Sequence, residues 1–160
     1  MNRWDARGIE LARLVGGWSK DPSTQVGAAI LRPDKTVASV GFNGLPRGVG
    51  DLPARLIERE TKHSMIRHAE ENALAFAREP LTGYTLYVAP LWPCSRCAGA
   101  IIQAGITRVV YALDTLRVDW AGNAEVALSM LREAGVGVEE FVESGERKRA
   151  WSELTREGEA

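Results

Sequence analysis

Segments with the pattern of β-strands alternate with segments that have the pattern of amphipathic helices, and this alternation constrains the fold more than any other feature. The β-prone runs lie at residues 26–31, 37–42, 85–89, 108–113 and 136–141, and the helical patterns lie at residues 3–18, 65–78, 95–104 and 123–134. A charged helical tail is predicted at about residues 144–158. Helices that separate strands in this way cover both faces of a sheet. The sequence therefore predicts an α/β fold with a mixed sheet between helices.

Local patterns add detail to this prediction. A Pro-Asp turn in residues 32–35 favours an antiparallel hairpin of the first two strands. The helix at residues 65–78 offers a face of small residues that could lie close to the sheet. Residues 43–54 are expected to form a loop because they contain three glycines. The first helix is expected to bury one stripe of large apolar side chains, namely Trp4, Leu11, Leu14, Val15 and Trp18.

Length and charge limit the ligands that the chain is expected to bind. A chain of 160 residues is expected to form a single domain, residues 1–160. Its 20 Lys and Arg residues nearly balance its 21 Asp and Glu residues, which gives a formal net charge of -1. Proteins that bind DNA or tRNA draw much of their affinity from neutralising phosphates. A small-molecule substrate is therefore favoured over a nucleic-acid partner.

The N-terminal residues and the cysteine content bear on location. Residues 1–20 interleave charged and apolar side chains and lack the apolar core of a signal peptide. The longest apolar runs are far shorter than the ~20 residues that cross a membrane. With only two cysteines, the chain cannot build a multi-bridge disulfide framework, and a reducing compartment fits best. We therefore expect a cytoplasmic protein with no membrane partner.

The soft metal-ligating side chains are few and are concentrated in two segments. The chain has two cysteines, Cys94 and Cys97, and two histidines, His63 and His68. The two thiols lie three residues apart at the predicted start of a helix, where the helix dipole favours thiolates on one side of the first turn. Catalytic zinc takes three protein ligands, and a histidine is the available third. His63 lies in a polar stretch and is expected to be solvated or to support the site without binding the metal, so His68 is the expected ligand.

Glu70 distinguishes a catalytic zinc site from a purely structural one. A carboxylate two residues beyond a ligating histidine is poorly placed as a fourth ligand, but it can take a proton from water on the metal. The arrangement H-x-E followed by P-C-x-x-C is that of zinc deaminases, in which the Glu is the general acid and base. We expect Glu70 to pass protons to a ring nitrogen and then to the departing amino group. Buried packing thiols and a structural zinc site remain the alternatives.

Four motifs carry a resemblance to a known family. They read WSKDPSTQVGA at residues 18–28, GFNGLPRG at residues 41–48, HAEENA at residues 68–73, and PCSRCA at residues 93–98 followed by IIQAGI at residues 101–106. Together they resemble the deoxycytidylate (dCMP) deaminase family of the cytidine deaminase superfamily. The last two motifs occur across the superfamily, whereas the first two are typical of enzymes that act on nucleoside monophosphates.

The resemblance implies a fold, a cofactor and a reaction. The implied fold is the three-layer cytidine-deaminase-like fold, α/β with a five-stranded mixed sheet and helices on both faces. The implied cofactor is Zn²⁺ bound by His68, Cys94 and Cys97, with Glu70 as the catalytic proton carrier. The implied reaction is the zinc-dependent hydrolysis of dCMP to dUMP and ammonia.

The resemblance also implies substrate contacts and an assembly. The implied contacts are Asn43, Ser19, Lys20 and Ala69. Lys20 and the Ser19 hydroxyl could meet a phosphate, and Asn43 could hydrogen-bond the sugar or the base edge. The alternatives are local roles, with Ser19 at a helix end and Asn43 as a turn residue. A homo-oligomer, either a dimer or a hexamer, is implied as well.

The chain departs from the family pattern at particular positions. Residues 49–51 read Val-Gly-Asp where many relatives have a Cys and paired acidic residues. This difference argues against a second zinc site and against regulation by dCTP or dTTP. Glu71 occupies a position that is usually apolar, and we expect it to face solvent. Trp92 either walls the pocket or packs in the core.

Other functions remain open from the sequence. Residues 93–102 also resemble tRNA adenosine deaminases, although these need a cationic surface and lack a segment like residues 19–26. Deamination of a free base, a nucleoside, dCTP or a modified cytosine nucleotide such as 5-methyl-dCMP would differ mainly in the shape of the pocket. A non-catalytic nucleotide-sensing zinc module would bind zinc without releasing ammonia.

Overall fold

The computed structural model describes residues 2–114 and 121–143 of the chain, and the predicted tail helix at residues 144–158 lies outside them. The elements in chain order are α1 Arg3–Gly16, β1 Gly27–Leu31, β2 Val37–Phe42, α2 Pro53–Ile57, α3 Arg59–Met65, α4 Ala69–Phe76, β3 Thr85–Ala89, α5 Ser95–Gln103, β4 Arg108–Tyr111, α6 Ala121–Glu133 and β5 Gly137–Glu140. The strands form one sheet in the order β2-β1-β3-β4-β5. β1 runs antiparallel to β2 and β3, whereas β3, β4 and β5 are parallel. The predicted α/β fold with a five-stranded mixed sheet is confirmed.

Helices cover both faces of this sheet. α1 packs on one face, and α4, α5 and α6 pack on the other. Along β3, Tyr87 belongs to the core on the α1 side, whereas Leu86 and Val88 belong to the core on the opposite side. All three are essentially inaccessible to solvent, because side chains alternate along a strand and both faces are covered. None of the described helices is long and apolar enough to cross a membrane.

Helix α1 buries only part of the predicted stripe, since Val15 is buried as expected and Leu11 packs partly against the core. The wholly buried apolar residues of this helix are Ile9, Ala12 and Val15. Leu14 and Trp18 were expected inside, but they are 62% and 55% exposed. At Gly8, a Cβ would come within 2.5 Å of the Tyr87 ring, so this position must be small for the helix to reach the sheet. The prediction assumed that the large apolar side chains of α1 face the core, whereas close approach of α1 to the sheet requires small side chains.

The segment between β2 and β3 holds two short helices that the sequence did not predict. The predicted loop at residues 43–54 runs into α2, and α3 follows directly. The predicted helix at residues 65–78 is shorter than expected, since α4 begins at Ala69. Arg67 and Gly44 exchange two backbone hydrogen bonds of 2.8 and 3.1 Å, which hold the chain extended before α4. His68 consequently lies at the N-cap of α4 with an extended backbone.

The small-residue face of α4 lies against the sheet as predicted. Ala69 and Ala73 are wholly inaccessible to solvent. Gly41 of β2 has no room for a Cβ beside the backbone of those two residues. This close packing fixes the start of α4 relative to the end of β2, and the predicted β1–β2 hairpin is confirmed with it.

Candidate metal centre and the Asn43 loop

Two helix starts bring the predicted metal ligands together. His68 caps α4, Cys94 caps α5, and Cys97 lies in the first turn of α5. The ligand atoms of these three residues all lie within 4.8 Å of one another, and we call them the zinc-ligand cluster. Among residues 2–114 and 121–143, this is the one His/Cys/Asp/Glu group compact enough to hold a metal ion. His63 lies exposed on α3, outside the cluster.

The donors and their spacing fit zinc. Both Sγ atoms, of Cys94 and of Cys97, lie 3.4 Å from Nδ1 of His68. In a tetrahedral site with ordinary Zn–N and Zn–S bonds, a nitrogen and a sulfur ligand are about 3.6 Å apart. Imidazole and thiolate are donors that zinc accepts readily. Three protein ligands leave the fourth position of a tetrahedral ion for water.

The start of α5 favours a thiolate at Cys94. Its sulfur accepts the backbone N–H of Cys97 at 3.5 Å, at the positive end of the helix. A hydrogen bond from the Cys97 thiol, supported by His68 and opposed by burial, lowers the pKa of Cys94 to about 4. The same hydrogen bond, together with burial, raises the pKa of Cys97. Metal binding requires both sulfurs as thiolates and therefore releases any proton that the pair still holds.

Glu70 lies in the first turn of α4, two residues after His68, and is only 3% exposed. Burial raises the pKa of its carboxyl group to about 7, against the opposing effect of His68. A carboxyl group with such a pKa can both accept and return a proton at neutral pH. The carboxylate is not part of the zinc-ligand cluster, which leaves it for proton transfer.

Glu71 was expected to face solvent, but its side chain is only 13% exposed. It joins the starts of α4 and α5. One carboxylate oxygen accepts the backbone N–H of His68 at 2.9 Å. The other pairs with Arg96 at 3.1 Å and with Arg67 at 3.5 Å. Burial raises the pKa of Glu71, but these partners outweigh it and the pKa lies below its usual value. Capping-box spacing is the sequence signal for this contact, and it requires knowing that α4 starts at Ala69.

Asn43 lies at the end of β2, where its amide joins the loop after α1 to the sheet. Its Oδ1 accepts the N–H of Val26 at 2.8 Å, and its Nδ2 donates to the Thr24 carbonyl at 2.9 Å and to the Asp21 carboxylate at 3.2 Å. The Ser19 hydroxyl donates to the Asn43 carbonyl at 2.7 Å and accepts the Asp21 N–H at 3.2 Å. Both residues are buried. A contact of either with substrate stays a prediction.

Lys62, which no sequence motif marks, contacts this loop from α3. Its Nζ donates to the carboxylate of Asp21 at 3.1 Å and to the Ser23 hydroxyl at 2.5 Å. Burial raises the pKa of Asp21, but hydrogen bonds from Ser23 and Lys62 outweigh it and hold the pKa below its ordinary value. We call Ser19, Asp21, Ser23, Asn43 and Lys62 the Asn43 loop cluster.

The remaining predicted residues have simpler surroundings. Lys20 exposes 71% of its side chain and pairs with Asp51 at 2.6 Å. Ala69 is wholly buried as the first residue of α4. Trp92 is 3% exposed and packs in the core, with its ring edge to face with Tyr111 at 6.3 Å between centroids. The substrate roles of Lys20 and Ala69 stay predictions.

Comparison with known families and proteins gives a consistent result. The family model of the cytidine and deoxycytidylate deaminase zinc-binding region matches residues 2–113. The chain is 45% identical over 140 residues to an uncharacterized deaminase in the luxG 3' region of Aliivibrio fischeri, a match that covers 86% of this chain and 93% of that protein. It is 35% identical over 145 residues to the deoxycytidylate deaminase of Homo sapiens, covering 87% of this chain and 80% of that protein.

Solved structures show the same similarity. The dCMP deaminase of cyanophage S-TIM5 in its apo form matches with a TM-score of 0.69 and 25% identity, covering 88% of this chain and 100% of that chain. The same enzyme in complex with dCMP and dUMP matches with a TM-score of 0.68 and 25% identity, covering 88% and 99% of the two chains.

Proposed function

Since the chain belongs to the cytidine and deoxycytidylate deaminase family, we propose that it hydrolyses dCMP to dUMP and ammonia, with zinc bound by His68, Cys94 and Cys97. The observation that carries this proposal is a buried carboxyl group, Glu70, in the helix turn that begins at the histidine of the zinc-ligand cluster. Similarity to the human deoxycytidylate deaminase and to a phage enzyme solved with dCMP and dUMP supports this substrate.

The catalytic steps follow from the position and the pKa of Glu70. Zinc, when bound, supplies an activated water as the nucleophile. Glu70 takes one proton from this water and gives it to the ring nitrogen beside the amino-bearing carbon, which makes that carbon electrophilic. After the new C–O bond forms, Glu70 carries the second proton from the added oxygen to the amino group. The C–N bond then breaks, ammonia leaves, and a carbonyl remains on the ring. The pKa of about 7 that burial gives this carboxyl group belongs to the metal-free protein, and a cation bound nearby favours the carboxylate that accepts the first proton.

Nucleotide contacts form a second part of the proposal. Lys20 is exposed beside the Asn43 loop cluster, and we assign it the phosphate because an ammonium group there could form charge-assisted hydrogen bonds. The Ser19 hydroxyl already donates to the Asn43 carbonyl, so a direct phosphate contact by Ser19 would require that bond to break. Asn43 and Ala69 are assigned to the sugar or base side. These residues lie at the end of β2 and at the start of α4. A side-chain contact of Asn43 with substrate would require one of its bonds to Val26, Thr24 or Asp21 to break.

Ammonia release by the zinc-loaded protein tests the proposed function. The substrates are dCMP, CMP, dCTP, deoxycytidine, 5-methyl-dCMP and a tRNA bearing adenosine at the wobble position. Glu70→Gln is the matched control, with an expected loss of about 10²- to 10⁴-fold in kcat and unchanged zinc content. We expect dCMP to react fastest. Faster turnover of deoxycytidine would remove the phosphate role of Lys20. Bound zinc without ammonia from any substrate would favour a non-catalytic module.

Domain organisation, assembly and location complete the proposal. We assign residues 1–160 to one deaminase domain, supported by a family match over residues 2–113. The exposed side chains of Trp18 and Phe42, whose rings meet edge to face at the edge strand β2 with 6.2 Å between centroids, support a homo-oligomer, and light scattering after gel filtration tests its size. Thiols that must stay reduced to bind zinc support a cytoplasmic location, which microscopy of a fluorescent fusion tests.

A further inference from the structure

We propose that Glu71 is a positioning residue that locks the two ligand-bearing helix starts together and thereby slows the release of zinc. The proposal rests on the proposed function only in taking His68, Cys94 and Cys97 as the zinc ligands, and it requires no particular substrate.

The first contact fixes the histidine ligand. Glu71 is the third residue of α4, and its Oε2 accepts the backbone N–H of His68 at 2.9 Å. A carboxylate at this position satisfies a donor that the helix itself leaves unpaired. The bond restrains the backbone from which the imidazole of His68 projects. The orientation of a metal ligand depends on such partners outside the ligand set.

The second contact reaches the turn that carries both thiols. Arg96 stands between Cys94 and Cys97 in the sequence, and its Nη2 lies 3.1 Å from Oε1 of Glu71. A single carboxylate therefore contacts the backbone of the histidine ligand and a side chain of the Cys-x-x-Cys turn. Arg67 adds a weaker contact of 3.5 Å and is itself paired through its backbone with Gly44.

The exposure of Arg96 indicates that its ion pair with Glu71 positions the helix starts rather than stabilising the whole fold. The Glu71 side chain is 13% exposed, whereas that of Arg96 is 68% exposed. An ion pair to so exposed an arginine contributes little to the stability of the whole fold, yet it can still restrain the two elements that it joins. Glu79 offers a matched control, since it pairs with Arg32 at 2.6 Å with both side chains partly exposed and lies on neither helix start.

The test measures zinc release from the holoprotein into excess chelator. We expect Glu71→Ala to release zinc about 10- to 100-fold faster than wild type, the range found for partners outside the ligand set. Glu71→Gln should fall between the two, because its amide oxygen still accepts the His68 N–H while the charge is lost. Arg96→Ala should also release zinc faster, and the double variant should be no faster than Glu71→Ala alone. Glu79→Ala should stay within about twofold of wild type.

Two further measurements separate positioning from a general loss of stability. The absorption spectrum of the cobalt-substituted protein should change in Glu71→Ala and remain that of wild type in Glu79→Ala. The increase in Tm that zinc produces should shrink in Glu71→Ala, whereas a merely structural role would lower the Tm of the metal-free and zinc-bound forms equally. If Glu71→Ala does not fold, Arg96→Ala decides the question, because its exposed side chain can be truncated without disturbing the core.

Wild-type release rates in both Glu71→Ala and Arg96→Ala would overturn the proposal, as would equal acceleration in Glu79→Ala. These outcomes are distinct from failure of the proposed function. Faster zinc release in the Glu71 variants of a protein that deaminates nothing would support the positioning role and reject the enzyme. Unchanged release in an active deaminase would reject only the positioning role.

Discussion

The zinc-ligand cluster and the Asn43 loop cluster are both largely buried and polar, yet they are assembled in opposite ways. The ligands lie at two helix starts, so short local motifs place each of them. The loop cluster takes side chains from the segment after α1, the end of β2 and α3, which only the folded chain brings together. Motifs therefore point to members of both clusters, whereas the contacts that join the Asn43 loop cluster, above all those of Lys62, depend on the tertiary fold.

The buried carboxyl groups of the two regions, Glu70 and Asp21, also differ, because their pKa values are shifted in opposite directions. Burial dominates at Glu70 and raises its pKa to about 7. Burial also raises the pKa of Asp21, but donors from Ser23 and Lys62 outweigh it. Glu70 is thus suited to carry protons, and Asp21 is suited to remain an anion that holds a loop. The difference comes from the number of hydrogen-bond donors around each carboxylate.

The largest expected effect on stability is the pH dependence of Glu70→Gln, which should be opposite in sign to that of an Asp21 variant. The folded-state pKa of Glu70 is raised from 4.5 to about 7. The protonated carboxyl group therefore contributes to the free energy of unfolding in full below about pH 4.5, and this contribution is lost as the pH rises through about 7. Glu70→Gln does not titrate, so we expect it to gain on the order of 3 kcal/mol over wild type between pH 4 and pH 8. Urea unfolding of the zinc-free proteins measures this gain.

Asp21→Asn is the control with the opposite sign. The pKa of Asp21 is lowered, so its contribution is present above the ordinary carboxyl pKa and is lost as the pH falls through the lowered value. The advantage of wild type over Asp21→Asn should therefore shrink only in acid. A gap between Glu70→Gln and wild type that does not change with pH would contradict the assignment of Glu70 as a buried, protonated carboxyl group.

A smaller effect is expected from Lys62→Met, which removes the cation from the Asn43 loop cluster. Asp21 keeps its other donors, so we expect a loss of about 1–3 kcal/mol in the free energy of unfolding. Asp21 also holds the amide of Asn43, so if Asn43 contacts the substrate as proposed, the KM for dCMP should rise while the zinc content stays constant. Chemical denaturation, steady-state kinetics and metal analysis measure the three quantities. Loss of zinc in this variant would show that the two clusters are not independent.

Particular residues show what the sequence could predict. The motifs around His68, Glu70 and Cys94 lie within single helix turns, so their geometry follows from local structure. Glu71 was misjudged because the start of α4 depends on the backbone pairing of Arg67 with Gly44, which is a contact between distant parts of the chain.

Lys62 was missed for a related reason. It lies on α3, a helix of seven residues with no buried side chain, so no apolar periodicity marks it. The predicted stripe of α1 was wrong at Leu14 and Trp18, because the sheet admits small residues at the closest approach and the Tyr87 ring leaves no room for a side chain at Gly8. Such contacts belong to the packing of elements and leave no local pattern.

The smallest expected effect on stability is that of Lys20→Gln. The pair of Lys20 with Asp51 is largely exposed, so its loss should change the free energy of unfolding by less than about 1 kcal/mol. If Lys20 binds the phosphate, the KM for dCMP should nevertheless rise, while the KM for deoxycytidine should not change. Asp51→Asn removes the same ion pair but keeps the cation, and it should leave the KM for dCMP unchanged or lower it. Equal kinetics of Lys20→Gln and wild type on dCMP would assign phosphate binding to other residues. A rise in KM without a loss of stability would show that Lys20 contacts the ligand directly. Substitution of a buried residue of the Asn43 loop cluster should instead change both the KM and the free energy of unfolding.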